Sequence, residues 1–195
     1  MSYPLTLRFK RIALARQMSV EDNSGQLLMY VKQKAFKLRE AITVFADREQ
    51  TRPLYYINAD RVIDFSATYQ ITDSANTRIG SVRQQGMRSL WRARFVISRD
   101  GAPVFELKEE NPWSRVGDQF FGEIPIVGLF AGYIFNPRYL ISTADGAEVL
   151  RVTKKPAFLE GLFEMTRLHT PLTAENERLL LIGAVAIIVL EKNRG

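Results

Sequence analysis

Cysteine is absent from the 195-residue chain, which removes disulfides, thiolate metal sites and cysteine nucleophiles together. Histidine is nearly absent as well. The only one, His169, stands in Leu168–His169–Thr170 with no HExxH-type partner nearby. A triad or a zinc site needs convergent groups, so His169 reads as a strand-end or surface residue. No glycine-rich phosphate loop can be written, neither GxGxxG nor GxxxxGK(S/T). Glu109 and Glu110 are adjacent, and on a strand adjacent side chains point to opposite faces, so they do not share an acid–base site. No enzyme, cofactor or metal is expected from this inventory. An apolar leader is missing too. Arg8, Lys10 and Arg11 interrupt the N-terminal region before the ~7–15 apolar residues of a secretory signal accumulate. With the absent cysteines, this predicts a cytoplasmic protein.

Acidic residues are missing from one stretch in particular. Between Asp73 and Asp100 there is none, while Arg78, Arg83, Arg88, Arg92, Arg94 and Arg99 all fall there. These six arginines equal the whole net charge of +6, so the rest of the chain is neutral. Otherwise the composition is that of an ordinary globular protein, with 46% hydrophobic and 25% charged residues. A single core can serve a chain of up to ~250 residues. With no repeat, low-complexity tract or linker in view, one domain over residues 1–195 is the simplest division.

Turn signals recur about every dozen residues, and the segments between them alternate with period two. Ala67, Tyr69 and Ile71 alternate with Thr68, Gln70 and Thr72, the pattern of a half-buried strand. Ala93, Phe95 and Ile97 alternate with Arg94, Val96 and Ser98 in the same way. Asp100–Gly101 then leads into Val104–Lys108, a hairpin with a tight turn. Asp145–Gly146 repeats the device between Tyr139–Ser142 and Glu148–Thr153. Asp22–Gly25 separates Gln17–Glu21 from Leu27–Lys32. Further strands are predicted at Thr6–Lys10, Ile42–Ala46, Leu54–Asn58, Ile79–Arg83 and Leu162–Arg167. Roughly a dozen short strands indicate a sandwich or barrel. Asn111–Pro112 reads as a helix N-cap and first position, with Trp113, Val116 and Phe120 turned inward.

The C-terminal segment departs from the β pattern. Thr173 can cap a helix, Glu175 and Glu177 suit its first turn, and Lys192 and Arg194 suit its last. Between them Leu179–Leu190 is apolar on every face, broken only by Gly183. Such a run spans ~18 Å as a helix, against ~30 Å of bilayer hydrocarbon. Charged residues close both ends, so it is not a membrane span. A helix apolar all round needs apolar partners all round, and a closed sheet with a central helix supplies them. The second apolar stretch, Ile124–Phe135, is broken by Pro125, Gly128 and Gly132 and reads as barrel core or a covered loop, with a surface element that touches lipid as the alternative.

Several segments carry a family resemblance. Tyr30–Glu40 (YVKQKAFKLRE), Thr51–Leu54 (TRPL), Asp64–Ala67 (DFSA), Ile79–Gly80 and Gly86–Leu90 (GMRSL) resemble the LURP-one-related proteins. The likeness continues through Asn111–Pro112–Trp113, Phe135–Asn136–Pro137 and the apolar C-terminal helix. The family shares its fold with phospholipid scramblases and the tubby C-terminal domain. The resemblance therefore implies a mainly β architecture, a twelve-stranded closed barrel enclosing a hydrophobic C-terminal helix. Tubby domains bind phosphoinositide head groups through basic residues, which the resemblance carries to no numbered position here. Scramblases have an acidic calcium-binding stretch near the terminal helix. Here Glu175–Asn176–Glu177 lacks the alternating oxygen pattern of a calcium loop, so calcium-driven scrambling is not expected.

The arginines are the functional lead. Gly86–Arg92 interleaves guanidinium groups with Met87, Leu90 and Trp91. Arginine's planar fork matches phosphate oxygens, and tryptophan is at home in an interfacial layer. Arg83, Arg88, Arg92 and Arg94 are therefore candidates for binding anionic phospholipid, with Lys34 and Lys37 as a second cluster. The bland alternative is a solvated run of charge around a core Leu90 and Trp91. A peripheral module for anionic membrane or phosphoinositide comes first, a protein-interaction scaffold second and a nucleic-acid binder third.

Overall fold

A computed structural model describes residues 1–12, 15–34, 41–60, 67–85, 94–110, 138–155, 161–168 and 170–194. Twelve strands run in chain order: β1 (Leu5–Ile12), β2 (Ala15–Glu21), β3 (Leu27–Lys34), β4 (Ala41–Phe45), β5 (Pro53–Ala59) and β6 (Thr68–Asp73). They continue as β7 (Arg78–Gln85), β8 (Arg94–Arg99), β9 (Ala102–Glu109), β10 (Arg138–Thr143), β11 (Glu148–Lys155) and β12 (Gly161–Arg167), before helix α1 (Ala174–Arg194). Each strand pairs antiparallel with its sequence neighbours, and β12 pairs with β1 to close the barrel. Every strand expected from period two is present. The proposed helix after Asn111–Pro112 and the stretch Ile124–Phe135 lie outside the described residues, as does His169.

Alternation decides which face is which. On β1, Leu5 and Leu7 are fully buried while Arg8 and Lys10 are exposed. The same phase puts Met18 and Val20, Met29 and Val31, Phe95 and Ile97, Phe105 and Leu107 inside. The inner faces close around α1, whose Leu179–Leu190 segment is buried along its whole length, with no named side chain above 5% exposure. Apolar inside and charged outside is the reverse of an outer-membrane barrel, which turns its apolar band to lipid. Among the described residues, no helix is long and apolar enough to cross a membrane.

Register shows the core overriding the turn. Asp100 and Gly101 have φ of 49° and 82°, the left-handed pair that a two-residue hairpin needs. A plain two-residue loop would set Phe95 opposite Glu106 and put the two apolar rows out of phase. A bulge between Ile97 and Ser98, beside Pro103, shifts the pairing to Ile97↔Phe105 and Phe95↔Leu107. Proline has no amide to donate, so the ladder yields there at little cost.

The Asp145–Gly146 turn is built differently from the expectation. Only Gly146 has positive φ, and its amide donates to the Thr143 carbonyl at 2.9 Å. The loop is thus a four-residue turn closed by a left-handed residue. Its geometry follows from Thr143, whose hydroxyl donates to the Asp145 carboxylate and accepts from the Ala147 amide at 3.0 Å. Asp22–Gly25 and Asp73–Asn76 close with the same bond, 2.9 Å in each.

Helix α1 begins as expected. The Thr173 hydroxyl accepts from the Asn176 amide at 3.2 Å, and the Glu177 amide donates to the Thr173 carbonyl at 2.9 Å. Its first turn is tied to the barrel rim by Arg167–Glu177 at 2.9 Å, Arg178–Asp73 at 3.6 Å and Arg99–Glu175 at 3.7 Å. The Arg178 guanidinium also donates to the Tyr55 hydroxyl at 3.1 Å and lies 5.2 Å from that ring's centre.

Candidate functional site

An up-and-down barrel has two ends, and the strand order assigns each turn to one of them. The turns β2–β3, β4–β5, β6–β7, β8–β9 and β10–β11 share the end at which α1 begins. We call this the turn pole. The other strand ends, among them the ends of β1, β3, β7, β9 and β11 and the starts of β8 and β10, form the opposite pole.

This geometry divides the arginine segment. Arg78 starts β7 and Arg99 ends β8, both at the turn pole, where Arg99 pairs with Glu175 at 3.7 Å. Arg83 and Arg94 lie toward the opposite pole, on adjacent strands held in register by Arg83↔Val96 and Gln85↔Arg94. Arg88 and Arg92 lie outside the described residues. The acid-free stretch is therefore not one positive face. Lys34 ends β3 at the same pole as Arg83 and Arg94, four strands away around the barrel, and Lys37 lies outside the described residues.

Because Val82 and Phe95 are core residues, Arg83 and Arg94 project from the outer face. Arg83 is exposed and has no ion-pair partner among the described residues. Arg94 faces Lys108 directly across the β8–β9 pair, a like-charge opposition that would be unfavourable alone. Glu106 relieves it. Its carboxylate contacts the Arg94 guanidinium and receives the Lys108 ammonium at 2.9 Å. The three groups sum to a single positive charge, held together at the surface. Neither Glu106 nor Lys108 figured among the sequence candidates. Their outward phase was readable from Phe105 and Leu107, but the pairing with Arg94 depends on the bulge.

Titration is perturbed mainly at the other end. The Ser24 hydroxyl, with the Gln26 and Ser24 amides, holds the Asp22 carboxyl below the usual range. Amides of Thr51 and Thr77 do the same for Asp47 and Asp73, and the Thr143 hydroxyl for Asp145. Burial pushes the Tyr3 phenol up to about 12, with Glu177 beside it adding to the effect. These carboxylates hydrogen-bond the turns in which they sit, which is structural work. Glu110 likewise accepts from Arg151 at 3.1 Å. Among the described residues, no group of three or more His, Asp or Glu side chains could hold a metal ion.

The described residues thus form a closed twelve-stranded antiparallel barrel around an apolar helix, with charged side chains on its outer face. Residues 27–156 match the family model described as LURP-one-related. The match covers more than half of the chain, which belongs to that family. No curated protein matches the chain.

Proposed function

We propose that this barrel is a non-enzymatic peripheral binding module for anionic phospholipid or phosphoinositide head groups, acting as a single cytoplasmic domain. The observation that supports the reading is Arg83. It is exposed, unpaired among the described residues, and next to β8, whose Arg94 joins Glu106 and Lys108 of β9 in a net-positive group. A cation left without a partner is available to phosphate, and a guanidinium can present two parallel donors to it. The candidates Arg88 and Arg92 lie within the connection between the strands that carry Arg83 and Arg94.

The test is flotation with phosphatidylcholine vesicles, with and without phosphatidylserine or phosphoinositide, at two salt concentrations. Wild-type protein is expected to float with the anionic vesicles only, and less at high salt. Charge reversal at Arg83, Arg88 and Arg92 together should abolish flotation. Salt-insensitive binding, or full binding by the triple variant, refutes the reading.

A further inference from the structure

Charge is distributed unevenly around the outer face of the barrel. From β7 through β12 and β1 to β3, every strand carries at least one outward charge, beginning with Arg83 and ending with Lys32. The outer faces of β4, β5 and β6 carry none. The one charged residue in these three strands is Asp73, which ends β6 in the inward phase and is engaged by its own turn and by Arg178. Asp60, just beyond β5, marks the margin of this flank and accepts the Thr68 amide at 3.0 Å.

Register joins the uncharged side chains into a continuous polar strip. One row runs Ala41, Asn58, Gln70, Ser81 and Ser98 across β4 to β8, and a second runs Thr43, Tyr56 and Thr72 across β4 to β6. Ile42, Val44, Ile57 and Ile71 are buried in the core, and alternation therefore fixes both rows on the outside. Asn58 is exposed and Tyr56 half-buried. In the middle of the first row, Oε1 of Gln70 is buried and has no hydrogen-bond partner among the described residues. An acceptor withdrawn from water and left unpaired is unfavourable, and folding of the single chain does not relieve it.

We infer that the β4–β6 flank is a self-association surface, occupied by the same flank of a second copy of this chain. Charge selects that occupant. Each copy carries a net charge of +6, so two copies repel where charged faces meet, and the uncharged flank is the approach on which the repulsion is least. A two-fold contact sets a surface against itself, so the surface must be self-complementary. The amides of Asn58 and Gln70 and the hydroxyls of Thr43, Tyr56 and Thr72 each offer both a donor and an acceptor, which a face of like charges does not. Depletion of charge around an aromatic ring is also the composition of an interface centre. A turn of the Gln70 terminal amide would present its unpaired acceptor to the Asn58 amide of the second copy. Three strands ~4.8 Å apart make a strip only ~15 Å wide, short of the ~800 Å² per partner of a stable complex. The contact is therefore weak and forms at high local concentration. It is independent of the lipid reading above.

Sedimentation velocity from micromolar to millimolar protein tests this. Wild type is expected to pass reversibly from monomer to dimer, and more readily as salt rises, because screening removes the repulsion between like-charged copies. Asn58→Lys puts a charge on each strip and should raise the concentration of half-association by roughly tenfold or more, and Asn58→Glu should do the same. Mixed in equal amounts, the two variants should recover the dimer, which neither misfolding nor a change of net charge would produce. Thr166→Lys adds the same charge at an exposed position of β12, far round the ring, and should leave association unchanged. Wild-type protein that stays monomeric throughout overturns the inference. So does a dimer that survives Asn58→Lys, or one that Thr166→Lys weakens equally. Vesicle flotation decides the lipid reading separately.

Discussion

Helix α1 sits closest to β7 and β8, and two glycines set that distance. A Cβ built on Gly183 would lie 2.7 Å from Cδ1, 3.0 Å from Cγ1 and 3.1 Å from Cγ2 of Ile97. Ile97 is fully buried, so its side chain has no solvent to retreat into. Overpacking of this kind costs ~1–3 kcal/mol, and replacing glycine by alanine inside a helix returns about 1 kcal/mol. Gly183→Ala should therefore destabilise by about 1 kcal/mol, a drop of roughly 2–4 °C in Tm for a chain of this size. Ile97→Val deletes the nearest atom and alone costs about 1 kcal/mol. Together the two changes exchange one methyl for another across the same contact. The double variant should lie near wild type, with a coupling of about 2 kcal/mol. Gly80 provides the contrast. Its Cβ would meet the Ser98 carbonyl oxygen at 2.5 Å and Leu179 Cδ1 at 2.6 Å. Leu179 could be trimmed, but the Ser98 backbone is held by its pairing with Ser81. Gly80→Ala should cost more than Gly183→Ala, and Leu179→Ala should not rescue it. Urea melts followed by circular dichroism measure all these values. A Gly183→Ala protein more stable than wild type, or strictly additive effects with Ile97→Val, would refute the helix–sheet contact.

Ala186 is fully buried at the centre of the apolar run, so Ala186→Asp places an unpartnered carboxyl inside the barrel. That costs several kcal/mol out of a typical ~5–15, and the cooperative near-ultraviolet unfolding transition should vanish. In acid, the depressed carboxyls of Asp22, Asp47, Asp73 and Asp145 bind fewer protons in the fold than in the unfolded chain. Their contribution is complete above the ordinary value of 3.8 and disappears as pH falls through the lower folded values. Stability should hold down to about pH 4 and decline below it, and Asp73→Asn should flatten that decline in chemical denaturation at stepped pH. At high pH the sign reverses. The Tyr3 phenol, raised from 10.0 to about 12, favours the fold below pH 10 and loses that contribution through 12. Tyr3→Phe should abolish this part of the alkaline loss, and an unchanged alkaline profile would exclude Tyr3 as its source.

The strands and the helix were legible because each obeys one short-range rule. Period two holds wherever one face meets the core, and a helix apolar on all sides admits few environments. Long-range placement was not legible to the same degree. Arg78 and Arg83 are five residues apart and read as one basic run, yet a strand carries them toward opposite poles. Lys10 and Lys32 look unrelated in sequence, but both face Gln17 on β2, across the β1–β2 and β2–β3 pairs. The Arg94–Glu106–Lys108 group depended on a bulge that no local pattern announces, although the mismatch between Phe95 and Glu106 in a plain hairpin would have demanded one.

Closure of the barrel determines what kind of membrane contact is open to this chain. Leu179–Leu190 is the most apolar segment described, and it is fully occupied in contacts with the inner faces of the strands. Releasing it would expose those faces as well, so it cannot insert into lipid while the fold persists. Among the described residues the outer surface offers exposed cations, and Met1 is the single large hydrophobic side chain exposed. Contact through such a surface is electrostatic, at about 1 kcal/mol for each cation reaching the head groups, and weakens as salt screens it. Several cations must therefore act at once for useful affinity. Cations held on the strands of one barrel, such as Arg83 and the Arg94–Glu106–Lys108 group, provide that without the ordering cost a flexible polybasic tail would incur. The closed fold and the reversible, salt-sensitive binding proposed here thus share one cause: the apolar surface is turned inward, around α1.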